Sequence, residues 1–136
     1  MKIVLDTNII LDIALKRTPF YEDSAKLISK IGVGKLNGFI TATTITDIYY
    51  IAKKSQGHDT TISFITSLLT VINVLGVDSK IILKSLKSEI RDFEYAIQAN
   101  TAYINQIDYL ITRNKKDFIK SDTKVLSPTE FLVEHG

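Results

Sequence analysis

The sequence predicts a three-layer α/β/α sandwich around a central, mainly parallel sheet. Two observations predict it. Short apolar runs such as Ile3-Val4-Leu5, bounded by polar or turn-forming residues, have the character of strands buried on both faces. Between them lie longer stretches in which apolar residues recur at helical spacing, so that strands are joined through helices, which dictates parallel pairing and right-handed crossovers. The 136 residues fit a single domain, 1–136, with no internal repeat or low-complexity segment. A chain of this size buries roughly 65–70% of the surface exposed when unfolded.

Lys2 to Leu5 form the first strand, which ends at Asp6-Thr7-Asn8. A helical pattern runs from Ile9 to Leu15, Pro19 interrupts it, and a second helix covers Phe20 to Ile31 until Gly32 and Gly34 stop it. Gly38 to Thr41 is the second strand. The helix from Thr44 to Lys54 follows, with Ile45, Ile48, Ile51 and Ala52 as its expected buried stripe and Gly57 as its end. Asp59 or Thr60 is expected to cap a helix to Leu69, and a strand follows over Val71 to Leu75. Asp78 caps a short helix carrying Ile81, Ile82 and Leu86. Asp92 caps a longer one reaching Asn105, with Phe93, Ala96, Ile97 and Ala99 on or near its inner face. Tyr109 to Thr112 is a strand, Lys116 to Ile119 a turn, and Lys124 to Leu126 the last strand. Pro128 opens a C-terminal helix.

Composition narrows the chemistry. The chain has no cysteine, which excludes disulfides and thiolate metal sites, and its two histidines, His58 and His135, make a histidine-rich zinc site an unsuitable reading. Its start, MKIVLDTN, reaches an aspartate at the sixth residue and resembles neither a secretory signal nor a membrane span, so no membrane association is expected and the cytoplasm is the default location. A formal charge of +2 is compatible with a polyanionic partner and with background composition alike.

The carboxylates fall where a parallel sheet places its chemistry, outside the carboxyl ends of the strands. Asp6 ends the first strand; it serves either as a metal ligand or as a helix cap, with Thr7 and Asn8 bracing the loop. Asp47 stands near the start of the third helix among isoleucines, either as a ligand whose charge is compensated or as an exposed first-turn acid. Asp92 and Glu94 have the same two readings. Asn114 and Asp117 follow the Tyr109 to Thr112 strand on a loop beside the same crevice, with Phe118 pinning that loop to the core, whereas Asp108 stands at the opposite edge. Several carboxylates without cysteine describe an oxygen-ligand site for Mg2+ or Mn2+.

The segments LDTNIILD, TATTITDIYYIAKK, DFEYAIQANTA, IDYLITRNKKDF and VLSPTEFL together resemble the PIN-domain family, and more narrowly the small prokaryotic endoribonucleases that act as toxins in toxin–antitoxin pairs. The resemblance covers almost the whole chain. It implies a PIN-like fold, a divalent-metal-dependent ribonuclease using Mg2+ or Mn2+, an RNA substrate, an antitoxin protein as partner, and a homodimer. It places the family's first acid at Asp6, its second, usually glutamate, at Asp47, and its late polar and acidic positions at Asn114 and Asp117. The third acid, usually aspartate, is Tyr95 here. A phenol with a reference pKa near 10 is a poor substitute for a hard anionic ligand.

Asp92, one helical turn before Tyr95, is the expected replacement, because Glu94 points about 100° from Tyr95 on an ideal helix. The implied site is therefore Asp6, Asp47, Asp92, Asn114 and Asp117, with the four aspartates as metal ligands. Lys53, Lys54, Arg113, Lys115, Lys116 and Lys120 form the expected basic rim for phosphates. Two other readings stand beside the ribonuclease: a catalytically impaired PIN-like module that binds RNA or a protein, and an aspartate-based phosphotransferase or receiver-like domain built on Asp6.

Overall fold

The computed structural model describes residues 1–136. Along the chain run β1 (Lys2–Leu5), α1 (Thr7–Ala14), α2 (Tyr21–Gly32), β2 (Asn37–Thr41), α3 (Ala42–Gln56), α4 (His58–Leu68), β3 (Asn73–Leu75), α5 (Ser79–Leu86), α6 (Phe93–Ile104), β4 (Tyr109–Ile111), a 3-10 turn (Lys115–Phe118), β5 (Lys124–Leu126) and α7 (Pro128–His135). The five strands form one sheet in the order β3-β2-β1-β4-β5, and every adjacent pair is parallel. The expected α/β/α sandwich is therefore observed, with a sheet that is parallel throughout.

β1 is the central strand because its residues suit no other place. Ile3, Val4 and Leu5 are all fully buried, and removing each from water contributes about 1.5–3 kcal/mol. Strand alternation sends Ile3 and Leu5 to one face, where they meet α1, α2, α3 and Phe131 of α7. It sends Val4 to the other, against Ala96, Ala99 and Ala102 of α6. The small alanines on α6 let that helix lie close to the sheet.

Local signals set many of the boundaries. Asp78 accepts from the Ile81 amide at 3.0 Å, and Asp92 from the Tyr95 amide at 3.0 Å, the caps expected for α5 and α6. Ser127 and Glu130 form a reciprocal capping box at α7, whose first residue is Pro128. Three expectations are corrected. α4 is capped by the Gly57 backbone, leaving Asp59 in its first turn. The buried stripe of α3 is Thr44, Ile48 and Ala52, spaced at four residues, while Ile51 is 42% exposed. Phe93 is 45% exposed, because the buried part of α6 begins only at Ala96, one turn further along.

Gly38 is required by a close approach. A Cβ there would run into Cγ1, Cγ2 and Cδ1 of Ile31 on α2, and because Cγ1 and Cγ2 both branch from Cβ, no movement of the side-chain tip alone relieves the clash. Gly38→Ala is expected to lower stability by about 1–3 kcal/mol in urea unfolding. That outweighs the roughly 0.4–1 kcal/mol gained by restricting the unfolded chain; an unchanged or raised midpoint would show that α2 moves freely away from β2.

Candidate active site

The strand order reverses direction between β1 and β4, so a crevice opens at their carboxyl ends. Asp6 lies there, fully buried. It is the N-cap residue of α1, yet its side chain makes no capping bond; the carboxylate is instead turned across the sheet. Thr112 donates its hydroxyl to Oδ2 at 2.8 Å, and Gln98 donates Nε2 to Oδ1 at 3.2 Å. Burial pushes the Asp6 carboxyl above its ordinary range, while Thr112, Gln98 and the Thr7 and Asn8 backbone amides pull it back. No lysine or arginine pairs with it.

A chain of hydroxyls links this acid to the next. Thr7 on α1 shares a hydrogen bond of 3.0 Å with Thr44 on α3, Thr44 one of 3.2 Å with Thr41 at the end of β2, and Thr7 donates to Glu94 on α6 at 3.3 Å. Asp47 stands one turn beyond Thr43 on α3 and lines the crevice together with Glu94. The Glu94 carboxyl is pushed up to about 8, first by burial, then by the neighbouring Asp47 carboxylate and the charge of Asp6. A second carboxylate so close favours the protonated form of Glu94.

Glu94 therefore enters the crevice, against expectation. The crevice is wide enough to take two successive residues of α6: Glu94 faces Thr7 and Asp47, while Tyr95 leans the other way onto Phe118, ring centroids 4.7 Å apart. Asp92 also lines the crevice, but one of its oxygens is committed to the Tyr95 amide. Asn114 and Asp117 lie beyond Tyr95. Burial together with the charges of Asp6, Asp117 and Asp92 pushes the Tyr95 hydroxyl above its ordinary range, and the neighbouring Asn114 acts the other way. The crevice around Asp6, Asp47, Asp92 and Glu94 measures about 170 Å³ and reaches neither Asn114 nor Asp117. A larger cavity, about 940 Å³, opens around Asp108 and Asp122 at the amino ends of the strands, away from these acids.

The donor chemistry fits a hard divalent cation. A buried carboxylate lacks a cationic side-chain partner beside two further acids, one of them Glu94 with its carboxyl raised, and every donor is oxygen. No three acids or histidines converge as a ready-formed shell, however, and Tyr95 stands between the early acids and Asp117.

Asp12 and Gln98 are the residues that sequence reasoning missed, and Glu94 the one that it weighed and passed over for Asp92. Asp12 on α1 is fully buried and takes Arg113 through both oxygens, Nε at 2.9 Å and Nη2 at 3.2 Å, with Arg17 at 3.7 Å. The pair holds the loop after β4 against α1. Thr112 holds the same loop from inside, accepting the Asn114 amide at 3.0 Å while donating to Asp6. The basic rim is thinner than expected, since Arg113 is committed to Asp12, Lys115 to Glu130 at 2.8 Å and Lys120 to Glu89 at 3.9 Å. No helix is long and apolar enough to cross a membrane.

An all-parallel sheet of this order with acids gathered at its switch point defines the class of protein, and the receiver-like alternative falls with it, because receivers have the order 2-1-3-4-5. A family profile described as PIN domain matches residues 2–116; the chain belongs to the PIN-domain family. No curated protein matches it. Among solved structures, VapBC-1 from nontypeable Haemophilus influenzae is similar at 25% identity and a TM-score of 0.70, covering 95% of this chain and 99% of that one. A toxin–antitoxin complex from Klebsiella pneumoniae aligns at 24% identity and 0.69, covering 92% and 96%. VapC20 from Mycobacterium tuberculosis, a sarcin–ricin loop cleaving toxin, aligns at 14% and 0.66, covering 79% and 86%. At 24% and 14% the likeness is one of fold.

Glu94 gives the apo protein a pH signature. Between its ordinary value of 4.5 and about 8 the folded state holds a proton that the unfolded state has released, so stability falls as pH rises through that window. Asp6 acts in the same direction. Glu94→Gln is expected to flatten the decline in Tm between pH 5 and 8.5 in chelator; parallel curves for the two proteins would refute the raised Glu94 carboxyl. Arg113→Met leaves the buried Asp12 with Arg17 alone, and a loss of about 3 kcal/mol is expected on denaturation, the low end for breaking a buried pair.

Proposed function

We propose that this chain is a divalent-metal-dependent endoribonuclease acting as the toxin of a toxin–antitoxin pair. The observation that carries the reading is the Asp6 carboxylate, buried with no lysine or arginine paired to it at the switch point of a PIN fold and flanked by Asp47 and a Glu94 pushed up to about 8. The naming of VapC20 as a sarcin–ricin loop cleaving toxin supports an RNA substrate, and the VapBC-1 and Klebsiella complexes support an antitoxin partner. Tyr50, Ile51 and Phe93, 63%, 42% and 45% exposed on the helices bordering the crevice, offer such a partner an apolar surface. Homodimerisation belongs to the same reading.

Asp6, Asp47 and Glu94 would hold Mg2+ or Mn2+, with Asp92 and Asp117 at the margins. When bound, the cation supplies charge neutralisation at the phosphoryl group and activation of water. The protein's own residues do the rest. Thr112 and Gln98 fix the Asp6 carboxylate, and Thr7 fixes Glu94. Glu94, whose carboxyl lies at about 8 in the metal-free crevice, would give up its proton on joining the cation's ligands. Tyr95 stands at the crevice wall, where its phenol would donate a hydrogen bond to a phosphate oxygen.

A second reading is favoured by Tyr95 itself: a PIN module that binds RNA or a protein with little cleavage. Cleavage of mixed RNAs with Mg2+ or Mn2+ separates the two. Under the ribonuclease reading Asp6→Asn is expected to reduce the rate at least a hundredfold, and Mn2+ affinity rises with pH up to about 8 as Glu94 gives up its proton. Absence of metal-dependent cleavage by folded protein would overturn that reading. A large gain on Tyr95→Asp from an inactive parent would establish a disabled site; little change from an active one would show that Glu94 suffices.

A further inference from the structure

α5 carries its charge on one side. Lys80, Lys84 and its C-cap Lys87 fall within about 60° of one another around the helix and span roughly 10 Å of its axis. None of the three is ion-paired, and no acid stands between Ser79 and Ser88. The helix dipole favours the two lysines near the last turn, but Lys80 stands in the first turn, where a cation is disfavoured, and Lys80 and Lys84 repel each other across one turn. The row is therefore a cost to the helix that carries it.

Beside the row lies a cavity of about 350 Å³ between α5, α6 and the segment after the 3-10 turn. Lys84 and Lys87 line it from α5, and Lys120 lines it from the segment after the turn. The Lys84 ammonium is held over the Tyr103 ring at 4.7 Å. Lys120 meets only Glu89 at 3.9 Å, with side chains 60% and 79% exposed, a pairing weak enough for another anion to replace. Ser88 accepts the Ile90 amide at 3.1 Å and keeps its own hydroxyl proton free to donate.

The cavity adjoins the Asp6 crevice. Ala99 in its wall is four residues beyond Tyr95 in the crevice wall, about 6 Å along α6. Arg91, exposed and unpaired, stands between Ile90 of the cavity and Asp92 of the crevice. The lining itself sets three lysines against two acids, Glu89 and Asp122, so a small isolated anion gains little there. A long polyanion that also passes Lys80 and Arg91 gains more. Part of the charge such a strand needs has to come from this side, because Arg113 and Lys115 are spent on Asp12 and Glu130.

We propose that the groove of Lys84, Lys87, Ser88 and Lys120, reached across Arg91, binds the phosphodiester backbone of an RNA strand whose scissile phosphate lies at the Asp6 crevice. The inference rests on the ribonuclease reading for the identity of the polyanion. Contacts to the backbone carry no sequence information, so the groove sets the direction in which the strand leaves the crevice.

Fluorescence anisotropy with a fluorescein-labelled, single-stranded 12-nucleotide RNA of mixed sequence tests the groove on metal-free protein in EDTA over a range of KCl. The combined variant Lys84→Gln, Lys87→Gln, Lys120→Gln is expected to weaken binding at low salt about tenfold or more, and to reduce the slope of log affinity against log salt by about 2, three contacts at roughly 0.7 each. A control, Lys2→Gln, Lys26→Gln, Lys35→Gln, removes the same charge from β1, α2 and the turn before β2 and is expected to leave the slope unchanged. All six side chains are exposed, so both variants are expected to fold. An unchanged slope in the groove variant, an equal drop in the control, or no RNA binding by the parent would overturn the groove. A ten-residue polyglutamate peptide that binds as tightly as the RNA, with the same dependence on the three lysines, would assign the surface to an acidic protein segment and overturn it as an RNA path. Cleavage of the same RNA with Mn2+ separates the two ideas: cut RNA with an unaltered slope removes only the groove, and uncut RNA that binds through the three lysines removes only the ribonuclease.

Discussion

A carboxylate enclosed at the end of the central strand, with no cation on it, is the constraint around which this molecule is arranged. Asp6 follows three fully buried apolar residues, so its Cα is fixed by the sheet, and the strand-order reversal beside it leaves a crevice into which the side chain must turn. Desolvating that charge is expensive, and the protein offsets it with neutral donors only, chiefly Thr112 just after β4 and Gln98 from α6. Gln98 in turn has a buried Oε1 with no donor. Accepting that orphan oxygen makes sense if the amide nitrogen is what matters, since an apolar residue there would remove both the unsatisfied atom and the hold on Asp6.

The second acid pair extends the same logic. Asp47 and Glu94 come from different helices, and the Thr7–Thr44 bond ties α1 to α3 at the point where they meet. In the metal-free crevice Glu94 keeps its proton up to about pH 8; on the ribonuclease reading a bound cation would favour its release. The crevice is poised between those states because its supporting contacts are hydroxyls and amides, whose donors and acceptors serve either protonation state, and no lysine is fixed there to favour one.

Much of this was legible locally. The β1 run, the caps at Asp78 and Asp92, and the proline start of α7 each depend on residues within a few positions of one another, and the strand-end placement of Asp6 follows from them. The unread features depend on distant partners. Asp12 and Arg113 are 101 positions apart, and neither Asp12 on an apolar helix nor Arg113 in a basic loop announces the other. Glu94 was misdirected by ideal-helix geometry, which gives the angle between neighbours and not the width of the cleft they face. The exposure of Ile51 and Phe93 was hidden for a related reason: hydrophobicity marks residues that prefer burial, while the edge of the sheet decides which of them obtain it.

Tyr95 follows from the same electrostatics. A carboxylate in its place would face Asp6, Asp92 and Asp117 across a poorly solvated gap, a repulsion that only bound cations relieve. A phenol carries no charge at neutral pH, and its ring packs on Phe118, an aromatic contact of about 0.5–1.5 kcal/mol. The exchange favours the metal-free fold and weakens the far side of any cation shell. The near side, Asp6 with Asp47 and Glu94, keeps its acids and its hydroxyl supports, and the late loop keeps its two fastenings at Asp12 and Thr112. On the ribonuclease reading, the crevice thus keeps its fastenings on both sides of a single altered position, and the activity left to it depends on how far Glu94 stands in for the acid that Tyr95 replaces.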